Sequence, residues 1–335
     1  MPDRRTIESA VSLACRAPSL HNSQPWRWVA TTSRLHLHSD PDRLLPATDA
    51  YGRQMVISCG TALNHLHYAF AAKHWRLTID RMPDPADGHL LSTISFLREP
   101  EISTFDRRMM AAISRRSTER LPLAAPPAWK ESLHDLTALA LEFGVQLEDL
   151  GSQSRPALGA ASHDIASRRR GDTAYQAELR WWSGHPPFPE GVPEGALLAE
   201  QPHGTVDVAR EFPPGRTDTD GSDTEHDRAA IVLLATPTDT KLAWLRCGEA
   251  LSAVLLACTD RGLATCPVTH LTELPTTRAL VRALSTGGGQ PQVLIRVGVR
   301  IRSRSTSNTP RRPLSEVLFR ELPGIRSETQ SLRGE

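Results

Sequence analysis

The chain lacks most of the features by which a sequence declares a binding class. Its 39 basic and 38 acidic residues leave a net charge of +1, so no excess positive field is available for nucleic acid or an anionic membrane. No run reaches the roughly 18 apolar residues that a bilayer span needs. The opening Met1-Pro-Asp-Arg-Arg-Thr6 carries charge, but no apolar segment follows it before Cys15. No signal peptide is therefore visible, and a cytoplasmic location is expected. The five cysteines (Cys15, Cys59, Cys247, Cys258 and Cys266) are odd in number and form no Cys-x-x-Cys pair. They read as reduced, buried small hydrophobes, not as a zinc or dithiol site. There is no Gly-x-Ser-x-Gly and no Gly-x-x-x-x-Gly-Lys. Gly287-Gly-Gly289 precedes a strand pattern, which makes it a loop and not a dinucleotide fingerprint. His36 and His38 alternate on a strand, and His65 and His67 stand at i, i+2 on a helix, so neither pair is arranged to share a metal.

What the chain does have is concentrated in short stretches. The segment Arg16-Ala-Pro-Ser-Leu-His-Asn-Ser-Gln-Pro-Trp-Arg-Trp28 follows a helical pattern (Ile7, Val11, Cys15) and breaks it at Pro18. Ser19, Asn22, Ser23 and Gln24 are left as short donors and acceptors in a turn that leads into alternating strand sequence. This arrangement suits either a planar, multiply hydrogen-bonding ligand or an ordinary capped helix end. Two apolar helical segments also match at identical spacing, Cys59-Gly-Thr-Ala-Leu and Cys247-Gly-Glu-Ala-Leu, with a further identity at Ala69 and Ala257. Small residues at the head of an apolar helix permit close helix approach, so the pair reads as two equivalent central helices or as two buried helices of biased composition.

Several of these residues resemble a known family. Pro18-Ser19-x-x-Asn22-x-Gln24-Pro25-Trp26 is similar to the motif by which nitroreductase-family flavoproteins hold the isoalloxazine ring of FMN. Arg116-Ser-Thr-Glu-Arg120 resembles that family's Arg-x-Ser/Thr-x-Arg element, which grips the FMN phosphate. Gly262-Leu-Ala-Thr-Cys-Pro-Val268 and Pro310-Arg-Arg-Pro-Leu-x-Glu-Val317 resemble its two late elements. Over nearly the full length, the chain most resembles the Acg branch, roughly twice as long as a simple nitroreductase protomer.

The resemblance implies an α+β nitroreductase-like fold with two related halves in one chain, 1–103 and 104–335, mimicking a nitroreductase dimer around central helices. The first half carries the ring element and the second the phosphate element, so one complete FMN site per chain and a monomeric pseudo-dimer are expected. Arg116, Ser117, Thr118 and Arg120 would meet the phosphate, with Arg311 and Arg312 closing the cradle, since a near-dianion favours guanidinium and hydroxyl donors. Pro18, Ser19, Leu20 and Asn22 would meet the pyrimidine edge, Asn22 by its side chain and Ser19 and Leu20 through backbone groups. Thr269 and His270 would approach N5, and they stand where typical members carry an acidic residue and a glycine.

The implied partners are small molecules: FMN, NAD(P)H and a nitro or quinone acceptor. Two functions remain open, an NAD(P)H-dependent flavin oxidoreductase and a non-enzymatic FMN-sequestering protein. A Pro-, Gly- and Asp-rich insertion at about 181–227 is either a lid over the ring, carrying Trp181, Trp182, Phe188 and Phe212, or a surface excursion. Helices are expected over 8–16, 53–73, 104–115, 129–143, 155–180 and 241–261. Strands are expected at 77–80, 92–96, 145–148, 230–235 and 292–297, beside those near 28–30 and 34–38.

Overall fold

Caps and breakers set most element boundaries. In the computed structural model, which describes residues 1–183, 190–197, 205–213, 226–301 and 309–320, helix α1 (Arg4–Ala14) starts earlier than its apolar pattern. The Asp3 carboxylate accepts the Thr6 N–H at 2.7 Å and nucleates the first turn. Strands β1 (Trp26–Ala30) and β2 (Leu35–Ser39), helix α2 (Arg53–Ala71) and strands β3 (Trp75–Arg81) and β4 (Leu90–Arg98) complete the first part of the chain. Then come α3 (Thr104–Arg115), the short β5 (Leu123–Ala124), α4 (Trp129–Leu141) and β6 (Gln146–Asp149).

The segment expected as one helix over 155–180 is two helices, α5 (Arg155–Arg170) and α6 (Thr173–Trp181). Gly171 ends the first, and Asp172 caps the second by accepting the Tyr175 N–H at 3.0 Å. Strand β7 (Ala230–Thr236) and helix α7 (Lys241–Asp260) lead to three elements the sequence pattern did not show, with β9 (Gln290–Arg300) lying between the second and third. These are β8 (Ala264–Val268), which carries Pro267, α8 (Pro275–Leu284), and β10 (Leu318–Arg320).

The strands form two sheets. One runs β10-β1-β2-β4-β3, and the other runs β5-β9-β7-β6 with β8 also paired to β9. β10 lies parallel to β1, with Leu318 opposite Trp28. The last described residues of the chain therefore complete the sheet of its first part, across the boundary expected near residue 103. Each sheet backs its own core, one around α1 and α2 with Trp26, Trp28 and Phe70, the other around α7 with Leu136, Val232 and Ile295. All five cysteines are buried and free, and burial pushes the Cys15, Cys247 and Cys258 thiols up to about 12.

Helices α2 and α7 are buried on nearly every face and cross in contact with each other. A Cβ on Gly60 would lie 2.1 Å from the Leu245 carbonyl oxygen, and one on Gly248 would lie 2.0 Å from that of Ile57. The clashes are reciprocal, because 57 stands to 245 as 60 stands to 248. One turn further, the Ser252 hydroxyl donates to Asn64 Oδ1 at 2.6 Å, and these two are 188 apart, the interval that relates 57 to 245 and 60 to 248. By length and composition α7 passes as a membrane-crossing helix, but most of it is buried inside the protein, as befits a core element.

Candidate functional site

A cavity of about 310 Å3 opens where the ring-like element, the N-terminal half of α2, the turn after α3 and the end of β8 converge. The ring-like element is held in an unusual backbone. His21, Asn22 and Gln24 all have positive φ (49°, 56° and 50°), a region that costs non-glycine residues energy and persists only where surroundings enforce it. The enforcing contacts are local and distant. The Ser19 hydroxyl accepts the Gln24 N–H at 2.9 Å, Ser58 Oγ accepts the Leu20 N–H at 3.2 Å, and the Pro18 carbonyl accepts from Thr61 at 2.7 Å. Arg43 donates to the Ser23 carbonyl at 2.5 Å.

The structure brings Pro18, Ser19, Leu20, Asn22, Arg116, Ser117, Thr118, Arg120, Thr269, His270 and Arg311 to this one cavity. Arg312 is not among the lining residues. Its guanidinium pairs with Asp40 at 3.5 Å and Glu316 at 3.4 Å, and its N–H donates to Gln24 Oε1 at 2.9 Å, so it braces the turn from behind. Asn22 lines the cavity, but both hydrogens of its amide are committed, to the carbonyls of Gly191 at 3.0 Å and Pro310 at 3.1 Å. It ties the insertion and the C-terminal segment to the turn. Arg311 is similarly occupied: its nitrogens donate to the carbonyls of Cys15, Arg16, Ala17, Thr309 and Pro310. It brings charge to the cavity, and its hydrogen bonds hold the segment around Thr309–Arg312 against the end of α1.

Arg116 differs from Arg311. Its Nε and Nη1 are buried and have no hydrogen-bond partner among the described residues. Burial, with the Arg16 and Arg120 charges beside it, pulls its pKa down to about 10. Arg311 falls to about 9 for the same kind of reason, burial first and then Arg116 and Arg16. The lining holds one carboxylate, Glu119, and Arg300 engages it at 2.9 Å while also donating to Ser117 Oγ at 2.5 Å. Among the further lining arginines, Arg296 is neutralised by Asp227 at 2.6 Å and Arg210 by Glu273, and Arg115 lies 3.8 Å from Asp260. The wall around Arg116, Arg120 and Arg311 therefore carries more positive charge than the described lining residues balance. A concave site of this kind fits a multiply charged anion, since Arg donors pair best with phosphate-like oxygens.

Away from that cluster the lining is neutral and partly aromatic. Burial and the charges of Arg210 and Arg120 push His21 well below its ordinary value, and burial with Arg210 does the same to His270. His270 Nε2 lies 2.8 Å from Ser162 Oγ. Thr269 Oγ1 receives Arg210 at 3.1 Å.

The described parts of the insertion belong to the cavity wall: Val192, Pro193, Ala196, Leu197, Thr205, Val206, Ala209, Arg210, Phe212 and Pro213. Phe212 meets His21 edge-on at 5.6 Å and lies 5.3 Å from the Arg120 guanidinium. Trp181 is 64% exposed, and Trp182 is buried near Arg43, so neither lines the cavity. Phe188 lies outside the described residues. Arg16 and His21 also line the cavity, although the motif comparison assigns them no contact. Both flank or sit inside the ring-like motif, and an arginine placed just before such a motif was the available signal.

No protein-family model matches the chain. It is 41% identical over 322 residues to a Mycobacterium tuberculosis protein provisionally named NAD(P)H nitroreductase acg, covering 95% of this chain and 97% of that one. A second M. tuberculosis protein, also provisionally named an NAD(P)H nitroreductase, is 38% identical over 320 residues, covering 95% and 92%. Among solved structures, the FMN-dependent nitroreductase NfnB of Mycobacterium smegmatis in complex with NADPH shares 20% identity at a TM-score of 0.38, over 63% of this chain and 96% of that one. A Bacteroides fragilis nitroreductase with bound FMN shares 12% at a TM-score of 0.35, over 59% and 94%. On the two sequence relatives, similar over nearly their whole length, the chain belongs to the nitroreductase family, in the branch that contains acg.

Proposed function

We propose that the protein binds one FMN per chain and acts as an NAD(P)H-dependent oxidoreductase of the nitroreductase type, as a monomer built like a two-protomer assembly. One observation carries this reading: a cavity whose charged wall holds Arg116, Arg120 and Arg311 against a single described carboxylate, Glu119, that Arg300 already engages. The unpartnered Nε and Nη1 of Arg116 make the donor set suited to a phosphate monoester. FMN, when bound, supplies the hydride chemistry itself. The chain binds the phosphate through Arg116, with the Arg16 and Arg311 charges reinforcing it, while Ser117 and Thr118 stand beside it. The turn at Pro18–Asn22 and the neutral wall at His270 receive the ring, and Phe212 and its neighbours exclude water from it. The reciprocal packing of α2 and α7, and the placement of one motif on each side of it, support the pseudo-dimeric reading.

A second reading is favoured by the way the insertion is pinned. Glu190 pairs with Arg43, Gly191 with Asn22, and Arg210 with Glu273, Tyr175 and Thr269. A wall held at that many points would shut the ring away and make the protein an FMN store. Stopped-flow reduction of the yellow protein by NADPH, NADH and dithionite separates the two. Rapid reduction by a nucleotide supports the oxidoreductase; reduction by dithionite alone supports the store. Flavin extraction should return a ratio near one FMN per chain, and a ratio near two would contradict the single site. Sedimentation should show a species near 36.8 kDa.

A further inference from the structure

Ser162 sits in the middle of α5 with its side chain buried, and its hydroxyl has one partner among the described residues, His270 Nε2 at 2.8 Å. A buried hydroxyl must give its proton to something, and the acceptor it has among the described residues is that ring nitrogen. Nε2 is thus the bare nitrogen of the imidazole, and the ring hydrogen sits on Nδ1. Nδ1 is buried and has no partner among the described residues, yet His270 lines the cavity and is 2% exposed. An unsatisfied buried donor is costly, so whatever fills this end of the cavity gains by offering it an acceptor.

We infer that His270, with its tautomer set by Ser162, is an imidazole N–H donor for the carbonyl oxygen of an uncharged dione, either the pyrimidine carbonyl of the bound flavin or that of a quinone-type acceptor. The charge layout selects an uncharged partner. Arg210, the cation that acts on His270, is already neutralised by Glu273, whereas the guanidiniums of Arg116 and Arg311 act on one another and not on this ring. The cavity therefore has an anion end and a neutral-donor end. His21, 5% exposed, lines the same cavity with neither ring nitrogen partnered among the described residues, which adds a second uncharged hydrogen-bonding group. Ser162 is a positioning residue that acts through His270. This inference rests on the FMN reading above.

The test uses the FMN-loaded protein with His270→Phe, which keeps a ring and removes the donor, His270→Asn, which restores an amide N–H near the Nδ1 position, and Ser162→Ala. One arm measures FMN affinity and the absorption spectrum of the oxidised flavin. The other follows reoxidation of the dithionite-reduced protein by 1,4-benzoquinone and by ferricyanide, which accepts an electron without a carbonyl oxygen. Loss of one neutral hydrogen bond should cost about threefold to tenfold. A weaker FMN affinity with a shifted spectrum in His270→Phe, recovered in His270→Asn, assigns the flavin carbonyl. Slower reoxidation by benzoquinone alone, again recovered in His270→Asn, assigns the acceptor. Ser162→Ala should move the same readout in the same direction by a smaller factor. The inference is overturned if neither readout moves, if both oxidants slow equally with FMN affinity unchanged, or if His270→Asn behaves as His270→Phe. Failure of the wild-type protein to retain FMN would instead remove the functional reading on which the inference stands.

Discussion

Arg116→Ala should raise the stability of the FMN-free protein while weakening its hold on FMN, and that opposition of signs is the sharpest check on the site. In the free protein the guanidinium is held at a pKa of about 10 against an ordinary 12.5 by burial and by Arg16 and Arg120. Its folded pKa lies below the unfolded one, so the unfolded chain binds the extra proton between pH 10 and 12.5, and the charge costs stability at all lower pH. The gross cost is about 3 kcal/mol at 1.36 kcal/mol per pKa unit. Water reaching this partly exposed residue screens roughly half of it, leaving a gain of about 1–2 kcal/mol when the charge is removed. Binding moves the other way. Two unpartnered donors, Nε and Nη1, each meeting an anionic oxygen, contribute about 1.5–3 kcal/mol apiece. Their loss should raise the FMN dissociation constant roughly a hundredfold or more, far beyond any change for riboflavin. The assays are chemical denaturation of the stripped protein at pH 7 and fluorescence titration with both flavins. A stripped variant less stable than wild type, or one with unchanged FMN affinity, would show that Arg116 is an ordinary surface-helix arginine and that the charged wall is not a phosphate site.

Gly60→Ala and Gly248→Ala should each destabilise by at least about 3 kcal/mol in urea titrations, because the new Cβ meets backbone that cannot yield, near 2 Å from Leu245 O or Ile57 O. Gly171→Ala, with nothing within 4 Å, should change stability by no more than about 0.5 kcal/mol. Asp49 accepts the Gln54 and Met55 N–H groups at the head of α2, but burial raises its pKa from 3.8 to about 6. The folded protein therefore binds the proton more tightly, and this residue's contribution falls as pH rises from 4 to 6. Asp49→Asn should lose ground to wild type at pH 4 and regain it by pH 7, and a difference that does not vary with pH would refute the assignment. Arg210→Ala removes the insertion's bonds to Glu273, Tyr175 and Thr269. Iodide quenching of bound flavin should increase in the variant, and unchanged quenching would mean that these contacts do not control access.

The parts of the site that were legible in the sequence are those in which a few neighbouring residues do the work. The turn at Pro18–Trp26 and the run Arg116–Arg120 declare themselves because their donors lie within one turn of one another. The central helices were legible because Gly60 and Gly248 leave a gap in an otherwise apolar pattern, and that gap is the contact. Helix ends were less legible wherever a cap outweighed the apolar period, as Asp3 and Asp172 do. Strand β8 was hidden by Pro267, which lowers the strand signal although the segment pairs fully with β9 along one edge.

What could not be read from the sequence is how each arginine spends its hydrogens. Arg311 and Arg116 are the same residue type in comparable basic motifs, and both were expected on the phosphate. Arg311 gives its donors to carbonyls at the end of α1, nearly 300 positions away in the chain, while Arg116 reaches no such carbonyl with its Nε and Nη1. The difference is made by the C-terminal segment, which crosses back to lay β10 beside β1 and so carries Arg311 onto exposed helix-end carbonyls that would otherwise need water. The same crossing places Pro310 where it takes one hydrogen of Asn22. One long-range strand pairing thus converts two expected ligand contacts into structural ones and leaves recognition to Arg116 and the histidine end of the cavity. A motif specifies which side chains arrive at a site, but the free valence left on each depends on topology, in this chain on the pairing of β10 with β1.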